Sequence, residues 1–212
     1  MPQQSAPMSG RRAEAARNDR HILESARVVF LADPGAGIAA VAKHAGVGIG
    51  ALYHRYESKE VLLQTLAATS LQRYIDTVQA ALDDDGDPWQ VFVAFMHRVV
   101  DTDTQSLAHR LAGTFTPTPE LYTASQRGQE LNIALFERTK NAAAFRHDIT
   151  VEDTSLILEM VMAIRLDDRD RTQQLRHRYL SLLLEGLHAD HADDLPGPPP
   201  TWRELAARWT KK

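Results

Sequence analysis

Cysteine is absent from this 212-residue chain, which excludes disulfides and thiolate metal sites and fits the cytoplasm. Aromatic residues make up only 7% of the chain, and runs of β-branched residues are rare. Recurring blocks of Ala, Leu, Arg, Glu and Gln favour helix instead. No stretch approaches the ~18 uninterrupted apolar residues that a membrane helix needs. The polar segment Met1 to Gly10 has no apolar core of a secretory signal, so no targeting segment is expected. No GxSxG, HExxH or phosphate-loop glycine pattern occurs, so no motif argues for an enzyme.

What is present is enough apolar residue, 43%, to bury a core in one large helical domain or in a small domain fused to a larger one. The net charge of −4 is unevenly spread. Met1 to Glu60 carries eight Lys or Arg against six Asp or Glu, a net +2, which leaves −6 on the remainder. A weakly basic head on an acidic body has the right polarity for a nucleic-acid partner, and alone it decides little.

Residues 1–10 are rich in Pro, Gln and Ser and are expected to form a disordered tail. A first helix is predicted from about Arg12 to Ala32, because Ile22, Ala26, Val29 and Phe30 share one helical face. Asp33-Pro34-Gly35 stops it. Two short helical patterns follow, Ile38 to His44 and Gly48 to His54, and then a longer one that opens on Ser58 as N-cap and runs to about Leu82. Past the Asp83 to Pro88 breaker, helices are predicted over Pro88 to Asp101, Gln105 to Ala112, Glu120 to Ala143, Val151 to Leu166 and Arg169 to Ala189. An extended, polyproline-like Pro196 to Pro200 and a short helix from Trp202 to Trp209 end the chain.

The segment Ile38 to Leu63, IAAVAKHAGVGIGALYHRYESKEVLL, concentrates the functional signal. Val41, Ala42, Ala45, Val47 and Leu52 suit two short helices packed at a steep angle, and Gly46 sits where the chain must turn sharply, favouring positive φ. The second short helix is below the ~12 residues an isolated helix needs, so its neighbours must hold it. That leaves Gly48, Ile49, Ala51, Tyr53 and His54 free to face outward, the geometry for entering a DNA major groove.

Ala42, Ala45-Gly46-Val47, Gly50, Leu52-Tyr53, Tyr56, Ser58-Lys59-Glu60 and Leu62-Leu63, with Ile22-Leu23, Ala26 and Phe30 upstream, resemble the DNA-binding domain of the tetracycline-repressor (TetR) family. The resemblance covers roughly Asn18 to Leu66. It implies an all-α fold: a three-helix helix-turn-helix head at 11–66 (motif 38–57), a helical ligand-binding and dimerisation body at 67–190, and a Pro-rich extension at 191–212. It also implies that Tyr53 and Lys59 contact phosphates while Gly48, Ile49, Gly50, Ala51 and His54 face the groove. A hydroxyl residue is usual in the family at the positions of Gly37 and Gly48, and the two glycines leave backbone N–H groups at the helix starts to meet phosphate. Ile49 and Ala51 can offer bases only apolar contact, so His54 and Lys43 become the candidates for polar readout.

The resemblance further implies a small-molecule effector as the only cofactor-like partner. Pocket candidates are Trp89, Phe92, Met96, Phe115, Tyr122, Phe136, Glu159 and Met160, with ordinary bundle core as the other reading of the apolar ones. Glu159 could instead pair with an arginine such as Arg165 or lie at an interface. The last two long helices are expected to form a homodimer through Leu156, Met160, Ala163, Leu175, Tyr179, Leu182 and Leu183, placing two heads on a palindromic operator. His188, Asp190, His191 and Asp193 have metal-compatible side chains but lie at a fraying helix end, so no metal site is expected. The functional expectation is a repressor released by a small, largely apolar ligand. An activator or co-repressor-dependent regulator, and a helical ligand-binding protein or enzyme with a vestigial head, remain as alternatives.

Overall fold

The structure, a computed structural model, describes residues 7–103, 107, 111, 113–190 and 193–207. Among these the chain forms nine bounded helices and no strand. The head comprises α1 (Pro7–Ala32), α2 (Ile38–Ala45) and α3 (Ile49–Arg55). The first helix begins earlier than expected, so 7–10 are not part of a tail. Proline suits a first helical turn, where its missing N–H would have no partner anyway. Ile22, Ser25, Ala26 and Phe30 form its buried stripe. The stop is chemical as well as conformational, since Asp33 Oδ1 accepts from Gly35 N at 2.8 Å in the turn that follows.

Helix α4 (Lys59–Leu82) joins head to body. Its N-cap Ser58 accepts from Val61 N at 3.2 Å. With 24 residues it is about 36 Å long, long enough to serve two cores. Leu62, Leu63 and Leu66 at its start belong to the head core, Val78 and Ala81 near its end to the body core. At the far end, Arg138 donates to the carbonyls of Ala81 (3.2 Å), Leu82 (3.1 Å) and Asp84 (2.5 Å), satisfying acceptors that a helix end leaves open.

The body comprises α5 (Pro88–Thr102), α6 (Pro119–Asn141), α7 (Val151–Met162) and α8 (Arg169–Glu185). Side-chain caps start three of them: Asp87 to Gln90 N, Thr118 to Leu121 N and Asp168 to Arg171 N. A reciprocal Thr150–Asp153 capping box starts α7. Phe92, Phe95, Met96, Leu131, Leu135, Phe136, Phe145 and Leu180 fill the core between them. The head core is not confined to 11–66, because Leu107 and Leu111, both helical, are buried in it. The rest of the helix expected over Gln105 to Ala112 lies outside the described residues.

Two helices stop four residues short of expectation. Helix α7 stops at Met162, not Leu166, because Arg176 takes the carbonyls of Met162 and Ile164 at 3.0 Å each while Thr172 Oγ1 accepts from Leu166 N. Helix α8 stops at Glu185, not Ala189, because 187–189 pair with 144–146 instead: Arg146 N to Leu187 O and Ala189 N to Ala144 O, both 3.0 Å. The segment expected to be continuously extended bends at Pro196–Gly197, where Gly197 has φ +81°. Arg146 and Asp148 hold the chain just before it, through Asp193 O and Leu195 N. Helix α9 spans Trp202–Ala207, and Trp209 is outside the described residues.

Candidate nucleic-acid interface

The turn between α2 and α3 is built on Gly46, whose φ of 65° is left-handed and whose N–H caps α2 at Ala42 O and Lys43 O. Val47 N returns to Ala42 O at 3.0 Å. This sharp reversal presses Leu52, fully buried, against Val41, Ala42 and Ala45 and leaves the opposite side of α3 in solvent. Ile49 is 48% and Tyr53 47% exposed, and Lys43, Ala51 and His54 are exposed beside them.

Gly37 and Gly48 are the N-caps of α2 and α3, both extended and neither making a side-chain cap. A Cβ built on Gly37, Gly48 or Gly50 would meet nothing within 4 Å. Close packing inside the subunit therefore does not explain Gly50. Gly48 and Gly50 open α3, whose Ile49, Tyr53 and His54 are exposed, and Gly37 is exposed at the start of α2. Lys59 is placed differently: half-buried, it donates Nζ to Pro34 O at 3.1 Å and lies 5.3 Å from the Phe30 ring centroid. It fastens the α1–α2 turn, with two of its three N–H donors remaining for another acceptor.

Further groups hold α3 in place without any sequence-local signature. Arg55 at its end pairs with Asp19 on α1. His21 on α1 lies 3.0 Å from Ala45 O through Nε2, at the edge of the turn. Only the fold brings these residues together.

The eight pocket candidates do not converge. Phe92, Met96 and Phe136 are buried in the body core, with Trp89 packed on its margin against Phe92 and Phe145. Phe115 packs against the head core instead. Tyr122 and Met160 are surface residues, 63% and 55% exposed, and Glu159 is half-buried. The helical period places apolar residues on a face without saying which neighbour covers it, and here α6 and α7 turn these two outward.

The interface candidates recur at helical spacing along one face of each of the last two long helices. On α7 and α8, Met160, Ala163, Tyr179 and Leu182 are exposed and Leu156, Leu175 and Leu183 half-buried, with Leu166 exposed between the helices. Of the metal-compatible cluster, His188 pairs with Asp190 at 3.2 Å, while Asp193 is represented by its carbonyl on Arg146 and His191 is outside the described residues. Among the described residues no group of three or more such side chains could hold a metal ion.

Residues 22–66 match the model of bacterial regulatory proteins of the tetR family, and residues 87–189 match the C-terminal domain of SbtR-like transcriptional regulators. The chain belongs to the TetR family. No curated protein matches it. Among solved structures, a TetR transcriptional regulator from Streptomyces coelicolor is 25% identical, with 81% of this chain and 99% of that one covered at a TM-score of 0.58. The TetR-like regulator LfrR of Mycobacterium smegmatis, solved with proflavine, is 18% identical over 85% of this chain and 99% of its own, with a TM-score of 0.63. A gamma-butyrolactone receptor is 17% identical over 82% and 98%, with a TM-score of 0.59. These last two show the fold alone. As a TetR-family regulator the protein carries the helix-turn-helix at 38–57, and no described helix is long and apolar enough to cross a membrane.

Proposed function

We propose that this TetR-family protein is a homodimeric repressor that binds a palindromic operator through α3 and leaves it when a small, largely apolar molecule enters the body. The observation that carries this reading is the outer surface of α2–α3. Three glycines there border open space, and Ile49, Tyr53 and His54 on α3 are exposed. Backbone can approach a duplex closely at such a surface, phosphates can meet the N–H groups of α2 behind Gly37, and Ile49 can meet a thymine methyl. Tyr53 reaches phosphate, Lys43 and His54 supply polar contacts, and the remaining N–H donors of Lys59 serve the backbone.

The exposed apolar face of α7 and α8 supports dimerisation, since a patch of that kind is normally covered. Paired across a two-fold axis, it would form a four-helix interface with the two α3 helices on one side. An effector acts only through its different affinity for two arrangements of the body. A coupling of about 1–3 kcal/mol changes operator affinity roughly 5–150-fold. The names of the relatives, one solved with proflavine and one a gamma-butyrolactone receptor, support an organic effector of modest size.

Operator selection from random duplexes, followed by titration at several salt concentrations, tests the reading. A two-fold symmetric site with affinity falling steeply with salt is expected. His54→Ala should then cost about 1–3 kcal/mol and relax preference at one position in each half-site. Selection that returns no common sequence would overturn the reading, and unchanged preference in His54→Ala would remove His54 from it.

A further inference from the structure

Head and body share a carboxylate. Asp103 ends α5 in the left-handed conformation, φ 50° and ψ 32°, which Asp tolerates better than most residues. Its Oδ2 pairs with Arg27 Nη2 on head helix α1 at 3.0 Å. Its Oδ1 faces Arg176 Nη1 on α8 at 3.6 Å, too far for a hydrogen bond. Both guanidinium side chains are withdrawn from solvent, 11% and 7% exposed. Arg176 also donates Nε to Ile164 O and Nη2 to Met162 O, closing the end of α7. Arg27 keeps a second partner, Glu24, on its own helix at 3.2 Å.

Two arginines from different parts of the molecule thus converge on one carboxylate whose Oδ1 is buried and, among the described residues, has no hydrogen-bond partner. A buried charged acceptor left open is costly, so the group favours any shift that brings an N–H donor to it. Arg176 is the donor within reach. A small approach of Arg176 would add that bond while Oδ2 keeps Arg27, so the one carboxylate can join α1 to α8.

We infer that Asp103 is the positioning residue that links the head to the α7–α8 pair. In the arrangement seen here it holds α1 through Arg27. A displacement of α8 reaches α1 through this one carboxylate, which faces Arg176 with Oδ1 while Oδ2 holds Arg27. Its regulatory meaning rests on the repressor reading, but the contact itself does not need DNA or effector to be tested.

Hydrogen exchange of the full-length protein, without DNA or ligand, is the experiment. Asp103→Asn keeps shape and tolerates the left-handed backbone while removing the charge. It should speed exchange about tenfold both in 25–32 of α1 and in 163–166 beyond α7, two regions that this carboxylate ties together through Arg27 and Arg176. Arg27→Gln, which leaves the α5 terminus intact, should speed exchange at 163–166 as well, and should add nothing in the Asp103→Asn background. Effects confined to the last turn of α5 in Asp103→Asn, or to α1 in Arg27→Gln, would overturn the inference. If Asp103→Asn does not fold, the Arg27→Gln result decides alone by the same criterion. Failure of the repressor reading would show instead as an empty operator selection, with these exchange rates unaffected.

Discussion

The two cores of this molecule are built alike and face their surroundings differently. Each is a cluster of Leu, Val, Ala and Phe between crossing helices, and α4 serves both. The head carries Gly37, Gly48 and Gly50 bordering open space, with Ile49, Tyr53 and His54 exposed on α3. The body instead carries an apolar outer strip on α7 and α8. A surface stripped of Cβ atoms suits a partner whose shape is the same everywhere, such as a phosphate backbone approached closely. A surface rich in Leu, Met and Tyr suits one specific, complementary partner, which in the proposed repressor is a second copy of the chain. Sparse and rich surfaces are two answers to two kinds of recognition.

Substitutions can break that contrast, and the largest effect belongs to the body core. Phe92 is 1% exposed and packs on Trp89, Phe95 and Phe145, so Phe92→Ala should lose about 3–5 kcal/mol in urea unfolding. A loss near the ~0.5 kcal/mol typical of surface sites would mean that the body is loosely packed around that ring. Next comes Gly50→Glu. Nothing in the subunit would obstruct the new side chain, so unfolding should be unchanged. Operator affinity should drop by about a hundredfold or more, because the carboxylate would face phosphates. Retained affinity would place the DNA contact elsewhere than α3.

The smallest effect is a pH response at the α5–α8 seam. His97 Nδ1 and His177 Nδ1 are 2.6 Å apart and His177 Nε2 is 2.7 Å from Asp101 Oδ1, so the facing nitrogens share one proton. Burial, and then the charge of His177, lower the His97 pKa, against a smaller opposing pull from Asp101. The unfolded chain therefore binds more protons than the folded one below about pH 6.5, and stability falls as the pH drops through that range. Thermal melting should decline by a few degrees between about pH 7.5 and 5.5, and His97→Gln should flatten the slope. An unchanged slope in that variant would assign the response to other groups.

Much of the head was readable in advance because its signals are local. Gly46 announces the left-handed turn, Ser58 the start of α4, and Asp33-Pro34-Gly35 the end of α1. The same holds for the body's start at Pro88, and the helix expected from Glu120 begins one residue earlier, at Pro119. The ends of α7 and α8 were misjudged because distant groups set them: Arg176 closes one, and pairing with 144–146 terminates the other. Apolar periodicity likewise marked Tyr122 and Met160 as candidates for the interior, where α6 and α7 do not place them. At the DNA-facing surface the outward residues followed from the short helix and its turn. The contacts that steady it, Arg55 with Asp19 and His21 with Ala45, join positions that no period relates.

Arg138 gives the connecting helix a fixed point. By gripping the carbonyls at the top of α4 from α6, it would make that end the pivot and the Ser58 end, together with the head, the moving tip of a lever in the proposed effector response. For a rod of about 36 Å, a tilt of roughly 5° swings the tip by roughly 3 Å. Each half of a two-fold assembly would add its own swing, so a slight rearrangement near the pivot becomes a mismatch between two reading heads and the fixed pitch of a duplex.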